Sequence, residues 1–243
     1  MMNGTAFVDK TAALADVMGE NVPMVIAGLY PRRMGKTSFL DALNGFLAVV
    51  SDISCNKRME AFKECAIYQD NRECFDKHFA RYAVFKLDLK SVDQAAAQLR
   101  KAVVRAARGH IRFLRNLLGG GVVDISARDR GTIMANVHRY REDITRIINS
   151  FKFLDELRDV NATHLVDIGA LLPELMEVFY WLFGRGSVLI VDEYDAPFMN
   201  ILCGVADVNL RTMLQREYGH FLSASLKVGG KNVWVWLYLD QRA

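Results

Sequence analysis

Four short apolar runs constrain this chain more than any other feature: Val22–Leu29 (VPMVIAGL), Tyr82–Leu89 (YAVFKLDL), Ser187–Val191 (SVLIV) and Asn232–Leu239 (NVWVWLYL). The first and third show no alternation of apolar and polar positions. They read as strands covered on both faces, the kind found in parallel sheets. Helical patterns fill the intervals. Phe39, Leu40, Leu43, Phe46, Leu47 and Val50 recur at helical spacing. Residues 51–80 suit short helices covering a sheet, and 93–118 suit one long helix stopped by Gly119, Gly120 and Gly121. A further helix is expected over roughly 138–159, with Ile144, Ile147, Ile148, Phe151, Leu154 and Leu157 on one face. Another is expected from Pro173, in its first turn, to about Phe183, and a last one over 208–226. This alternation predicts an α/β fold with a mainly parallel sheet flanked by helices.

The remaining composition narrows the class. A chain of 243 residues, 51% hydrophobic and 24% charged, suits one large globular domain and excludes a disordered or fibrous one. Cys55, Cys65, Cys74 and Cys203 have neither zinc-ligand nor CxxC spacing and read as reduced thiols, most of them packing residues. No basic leader precedes an apolar core, and no apolar run approaches the ~20 residues of a membrane helix. A soluble cytoplasmic protein without membrane contact is expected. His78, His110, His138, His164 and His220 have no spacing of a metal triad.

Gly35-Lys36-Thr37 sits between the first strand and the first amphipathic helix, the context a phosphate-binding loop requires. Backbone N–H groups from Arg32, Arg33 and Met34 through Gly35, Lys36, Thr37 and Ser38 would face the phosphates, helped by the helix dipole. Lys36 would reach the β and γ phosphates, and Thr37 would place its hydroxyl on Mg²⁺. The standard GxxxxGK[ST] pattern needs Gly at position 30, where this chain has Tyr30. A second feature compensates. Val188-Leu189-Ile190-Val191-Asp192-Glu193 delivers two carboxylates to the carboxyl edge of a sheet, where α/β proteins bind ligands. Asp192 would hold Mg²⁺ through its water shell, and Glu193 would orient and deprotonate an attacking water.

These residues resemble a family. Phe7-Val8-Asp9-Lys10-Thr11, Pro31-Arg32-Arg33-Met34-Gly35-Lys36-Thr37 and Asp192-Glu193-Tyr194-Asp195-Ala196-Pro197 are similar to the signature segments of the AAA-ATPase-like domain of the P-loop NTPases. Phe221-Leu222-Ser223-Ala224-Ser225-Leu226-Lys227 resembles that family's helix after the acidic strand. The family commonly lacks the first loop glycine. The resemblance implies a P-loop NTPase of the AAA-like, additional-strand type, with Asn232–Leu239 inserted between the phosphate-loop strand and the Asp-Glu strand. It implies ATP and Mg²⁺ binding and ATP hydrolysis, driving a protein partner or an effector domain. Family members often carry a lid and a nuclease-like domain after the core, so residues 1–243 are expected to be the core alone. A nucleotide-gated binding or scaffold protein with little turnover is the alternative.

Several cations stay open at this level. Arg32 and Arg33 suit either phosphate or a partner subunit, or pairing with Asp9 or Asp195. Arg211 and Arg216 suit either arginine fingers or solvated helix charge, and Asp195 suits a helix cap or support for Asp192. Between Asp93 and Asp124 there is no acidic residue. There, Lys101, Arg105, Arg108, Arg112 and Arg115 fall within about 80° of arc along about 20 Å of helix. Leu99, Val103, Ala106, Phe113, Leu114 and Leu117 occupy the other side. Residues 99–146 carry +7, so the rest of a chain of net charge +3 carries −4. That ridge suits a polyanion such as a nucleic-acid backbone, or else a solvated or acid-paired face.

Overall fold

The computed structural model describes residues 9–18, 25–30, 35–90, 96–121, 123–125, 127–157, 165–226 and 233–240, with the backbone alone at 25–30, 96, 127–128, 165–166 and 233–240. In chain order the elements are α1 (Ala13–Val17), β1 (Val25–Tyr30), α2 (Lys36–Leu47), α3 (Cys55–Lys63), α4 (Ala66–Asp70), α5 (Arg72–His78), β2 (Ala83–Asp88), α6 (Ala96–Leu118), α7 (Ala127–Arg139), α8 (Arg141–Glu156), α9 (Leu165–Phe183), β3 (Ser187–Asp192), α10 (Ala196–Gly204), α11 (Val208–Leu226) and β4 (Val233–Asp240). The four strands form one parallel sheet in the order β1-β4-β3-β2. β4 lies between β1 and β3, the position expected for it.

Each face of the sheet has its own core, which is why the strand sequences do not alternate in polarity. All six residues of β3 are buried. Leu189 and Val191 face the layer of α6, α8 and α9, together with Phe85 and Leu87 of β2. Val188 and Ile190 face the other layer, with Val84 of β2 and Leu40, Leu43 and Phe46 of α2. Full burial of a Val, Leu, Ile or Phe side chain stabilises by about 1.5–3 kcal/mol. On the second face Phe75 stacks on Phe79 at 4.7 Å between centroids, beside Phe46 and Phe62.

Helix ends follow local chemistry. α6 stops where Gly120 adopts φ +69, and the Gly121 N–H bonds the Asn116 carbonyl at 2.8 Å. That left-handed residue with its long return bond is the glycine-terminated helix end expected there. Arg58, 5% exposed, closes α2 by donating to the Gly45 and Ala48 carbonyls at 2.8 and 2.6 Å.

Several boundaries are corrected. β1 runs to Tyr30, and Val22–Met24 lie outside the described residues. Val50 lies beyond α2, because the chain turns at Ala48 to bridge Tyr82. The helix expected over 138–159 is α8, with Ile144, Ile147, Ile148, Phe151 and Leu154 buried as expected. Leu157 caps it, 138–139 belong to α7, which was not anticipated, and 158–159 lie outside the described residues. α9 starts at Leu165, so Pro173 is interior. Pro173 has no N–H to give the Gly169 carbonyl. Packing of α9 against α6, α7, α8, α11 and β3 outweighs that loss. Gly169 permits part of this packing, since a Cβ there would meet the Phe221 carbonyl oxygen at 2.8 Å.

Two histidines are buried in these layers. His78 Nδ1 shares a 2.7 Å hydrogen bond with the Tyr82 hydroxyl, and the His110 ring stacks on Phe85 at 3.9 Å. Burial lowers the pKa of His78 to about 4 and that of His110 to about 3. The unfolded chain, with imidazoles near pKa ~6.5, therefore takes up protons first as pH falls. Stability from this source is complete above about pH 6.5 and is lost on descending toward the folded values. We expect the unfolding free energy from urea titrations to fall from pH 7 to pH 5, by about 1–2 kcal/mol per buried histidine. His110→Phe should flatten that slope; an unchanged slope would show that His110 does not contribute.

Candidate nucleotide-phosphate site

Parallel strands bring their carboxyl ends to one edge of the sheet. β1 leads through residues 31–34 to Gly35, the residue before α2, which adopts φ +78. A side chain would be strained in that conformation, and glycine is not. Gly35 also supplies no side-chain cap. The N–H groups of Lys36, Thr37 and Ser38 thus open the helix without intrahelical acceptors. Gly35, Thr37 and Ser38 are exposed.

Lys36 reaches across to β3. Its Nζ lies 3.3 Å from Asp192 Oδ1 and 3.5 Å from Glu193 Oε1, with all three side chains mostly buried. The structure thus brings together the Gly-Lys-Thr lysine and the acidic strand end, which lie far apart in the chain. Glu193 has φ +52, in the left-handed region, where a non-glycine residue carries strain. Behind it, the Tyr218 hydroxyl of α11 donates to the Tyr194 carbonyl at 2.6 Å and pins the turn. Lys36 Nζ, Asp192 Oδ1 and Asp195 Oδ1 are buried and make no hydrogen bond among the described residues. Buried polar atoms left this way are unusual and suit a ligand.

The N-terminal segment supports the same edge. Asp9 accepts the Thr11 N–H at 2.8 Å and the Ala66 N–H at 2.7 Å, and Thr11 Oγ1 accepts the Ile67 N–H at 3.1 Å. Burial raises the Asp9 pKa, but these N–H donors outweigh it and hold the carboxyl below its ordinary value. This clamp seats residues 9–11 on the start of α4. Lys10 Nζ would lie 3.6 Å from a Cβ placed on Gly35.

Other expectations fare differently. Arg32, Arg33 and Met34 lie outside the described residues. Asp195 occupies the cap position of α10, but its side chain makes no cap hydrogen bond. Arg211 donates twice to the Val205 carbonyl, at 3.0 and 2.7 Å, so it closes the end of α10. Arg216 is exposed. The four cysteines are free, three of them half-buried. Among the described residues no three His, Cys, Asp or Glu side chains converge as a metal site. Sequence reasoning named Lys10 only within a signature segment, and it missed Tyr218 and Asp88. Asp88 ends β2 and is in register with Asp192; the Leu-Asp-Leu close of the second apolar run was the available signal.

Residues 1–115 match a family model described as Predicted AAA-ATPase. This part of the chain is similar to that AAA-ATPase-like family. The matched stretch contains Asp9, Gly35, Lys36 and Thr37 and ends on Arg115. No curated protein and no solved structure matches the chain. Among the described residues no helix is long and apolar enough to cross a membrane.

The cluster carries a stability prediction. Lys36→Ala leaves Asp192 and Glu193 sheltered from water without their cation, a change that costs roughly 3 kcal/mol in comparable buried pairs. Adding Asp192→Asn should recover part of that loss. Urea titrations of the single and double variants measure it; an unchanged midpoint for Lys36→Ala would mean the cluster contributes nothing to stability.

Proposed function

We propose that this chain is an ATP-binding P-loop NTPase core of the AAA-like, additional-strand type, spanning residues 1–243, which hydrolyses ATP to drive a partner or effector domain. The observation that carries this reading is the buried Lys36–Asp192–Glu193 cluster with its unbonded polar atoms. The position of β4 between β1 and β3, and the AAA-ATPase-like match of residues 1–115, support it.

In this reading the N–H groups at the start of α2 and the Lys36 ammonium hold the β and γ phosphates. Lys36 exchanges its carboxylate partners for phosphate oxygens, a contact of the same charge-assisted kind. Arg32, Arg33 and Met34 contribute to the loop around the phosphates. Glu193 orients water and accepts its proton as the oxygen bonds to the γ phosphorus; the bond to the leaving ADP oxygen breaks. Thr37 and Asp192 would hold Mg²⁺, which neutralises phosphate charge. Two protein oxygens fit that ion, which takes its other ligands from phosphates and water.

Lys36→Ala should weaken ATP binding at least ~10-fold, or ~1.4 kcal/mol, by calorimetry below its melting temperature. Equal affinity would overturn the assignment. Glu193→Gln should keep ATP bound and lose turnover, because size and polarity persist while the base is gone. Undiminished hydrolysis would move the base elsewhere, with Asp195 next. A wild-type chain that binds ATP without turnover would be a nucleotide-gated binding protein.

A further inference from the structure

The long helix α6 presents two unlike surfaces. Leu99, Val103, Leu114 and Leu117 are buried in the core. Lys101, Arg105, Arg108, Arg112 and Arg115 are all exposed. Four of the five make no ion pair among the described residues; Arg112 alone pairs, with Asp52. Both partners of that pair are largely exposed, and such a pair contributes little. Among the described residues, no acidic side chain other than Asp52 pairs with the ridge. Its neighbours repel one another, since Lys101–Arg105, Arg105–Arg108, Arg108–Arg112 and Arg112–Arg115 are all three or four residues apart. Like-charged neighbours at this spacing each destabilise a helix by about 0.2–0.5 kcal/mol. A bound polyanion would remove that repulsion.

The ridge also borders a cleft of about 630 Å³ between α6 and residues 49–53. Arg105, Arg112, Lys86 and Asn116 line it, with Asp52 and Asp124. Both carboxylates are engaged, Asp52 by Arg112 and Asp124 by the Cys55 N–H at 2.8 Å. Lys86 is likewise paired, with Asp41 at 2.7 Å, which leaves Arg105 as the ridge cation facing the cleft without an ion pair among the described residues. The other flank, a cleft of about 790 Å³, carries Asp155 and Glu156 and suits an anion less well.

We propose that the α6 ridge and the cleft beside it bind the phosphate backbone of single-stranded nucleic acid. Four of the five cations are arginines, whose fork of donors suits phosphate oxygens. A duplex is disfavoured because α6 is walled by β2 and α8 and does not stand free to enter a groove. A single strand lies along the ridge with its phosphates over the arginines. Ile53, 57% exposed at the cleft, offers an unstacked base an apolar contact. A membrane surface is disfavoured because the apolar residues of α6 are already in the core. The surface does not depend on the nucleotide reading.

The test is fluorescence anisotropy with a labelled 20-nucleotide oligo(dT) or oligo(U), from 20 to 200 mM salt. Wild type should bind with a log–log salt slope of about −3.5, for five contacts on a single strand. Arg105→Glu/Arg108→Glu/Arg112→Glu should weaken binding at least ~30-fold at 50 mM salt while leaving ATP affinity unchanged. Arg105→Gln alone, the milder change should the triple variant misfold, should flatten the slope by about 0.7. The proposal is overturned if wild type binds no oligonucleotide at 20 mM salt. It is equally overturned if the charge variants bind as wild type does, if duplex of the same length binds more tightly, or if phosphatidylserine vesicles bind in the oligonucleotide's place.

Discussion

A buried strand that ends in carboxylates needs a cation, and most of the site's architecture serves that need. β3 has every residue buried and closes on Asp192, itself 7% exposed, with Glu193 next. Charges taken out of water cost several kcal/mol each unless they are paired. Lys36 supplies the pairing from the first residue of α2. The ammonium can reach only if α2 starts at the carboxyl edge of the sheet, which requires β1 to run parallel to β3 and Gly35 to turn the chain. The left-handed conformation of Glu193 is a local cost borne to hold that juncture, a cost that glycine avoids at position 35.

The two cores make the juncture rigid from both sides. Phe46 and Leu40 fix α2 on one face, while Phe179 and Leu175 of α9 back the sheet on the other. Neither layer could be exchanged for solvent without exposing one side of β3. Tertiary hydrogen bonds then fasten the loop ends to these layers. Asp9 and Thr11 seat the N-terminal segment on α4, and Tyr218 fixes the turn after Glu193. Each of these polar contacts meets a backbone group at a turn or helix start that would otherwise lack a partner.

The sequence made the sheet legible because its strands are short, apolar and separated by helical periods. Ser187–Val191 and 208–226 agree with β3 and α11 almost residue for residue. The misses have physical causes. α7 has a polar sequence, ARDRGTIMANVHR, with few apolar positions to set a period. At Pro173 the local rule favoured a helix start, but packing along α9 overrode it. The pairing of Lys36 with Asp192 could be expected from spacing and resemblance. The supports from Tyr218 and Arg58 could not, since each depends on which backbone a distant helix happens to face.

Arginine shows the same division within one residue type. Arg58 donates to the Gly45 and Ala48 carbonyls at the end of α2, Arg100 to the Leu154 and Asp155 carbonyls at the end of α8, and Arg211 to the Val205 carbonyl at the end of α10. Helix C-termini present unbonded carbonyls and partial negative charge, which a guanidinium satisfies well. These three cations are spent on the fold. In a charge count they look the same as Arg105, Arg108 and Arg115. What separates the two groups is the presence of a helix end within reach, a property of the assembled layers. Arg100 and Lys101 are adjacent in sequence, yet one is drawn onto α8 and the other is left in water. The charge that a chain offers to a ligand is therefore what remains after its own helix ends have taken theirs, and among the described residues Lys101, Arg105, Arg108 and Arg115 of α6 belong to that remainder.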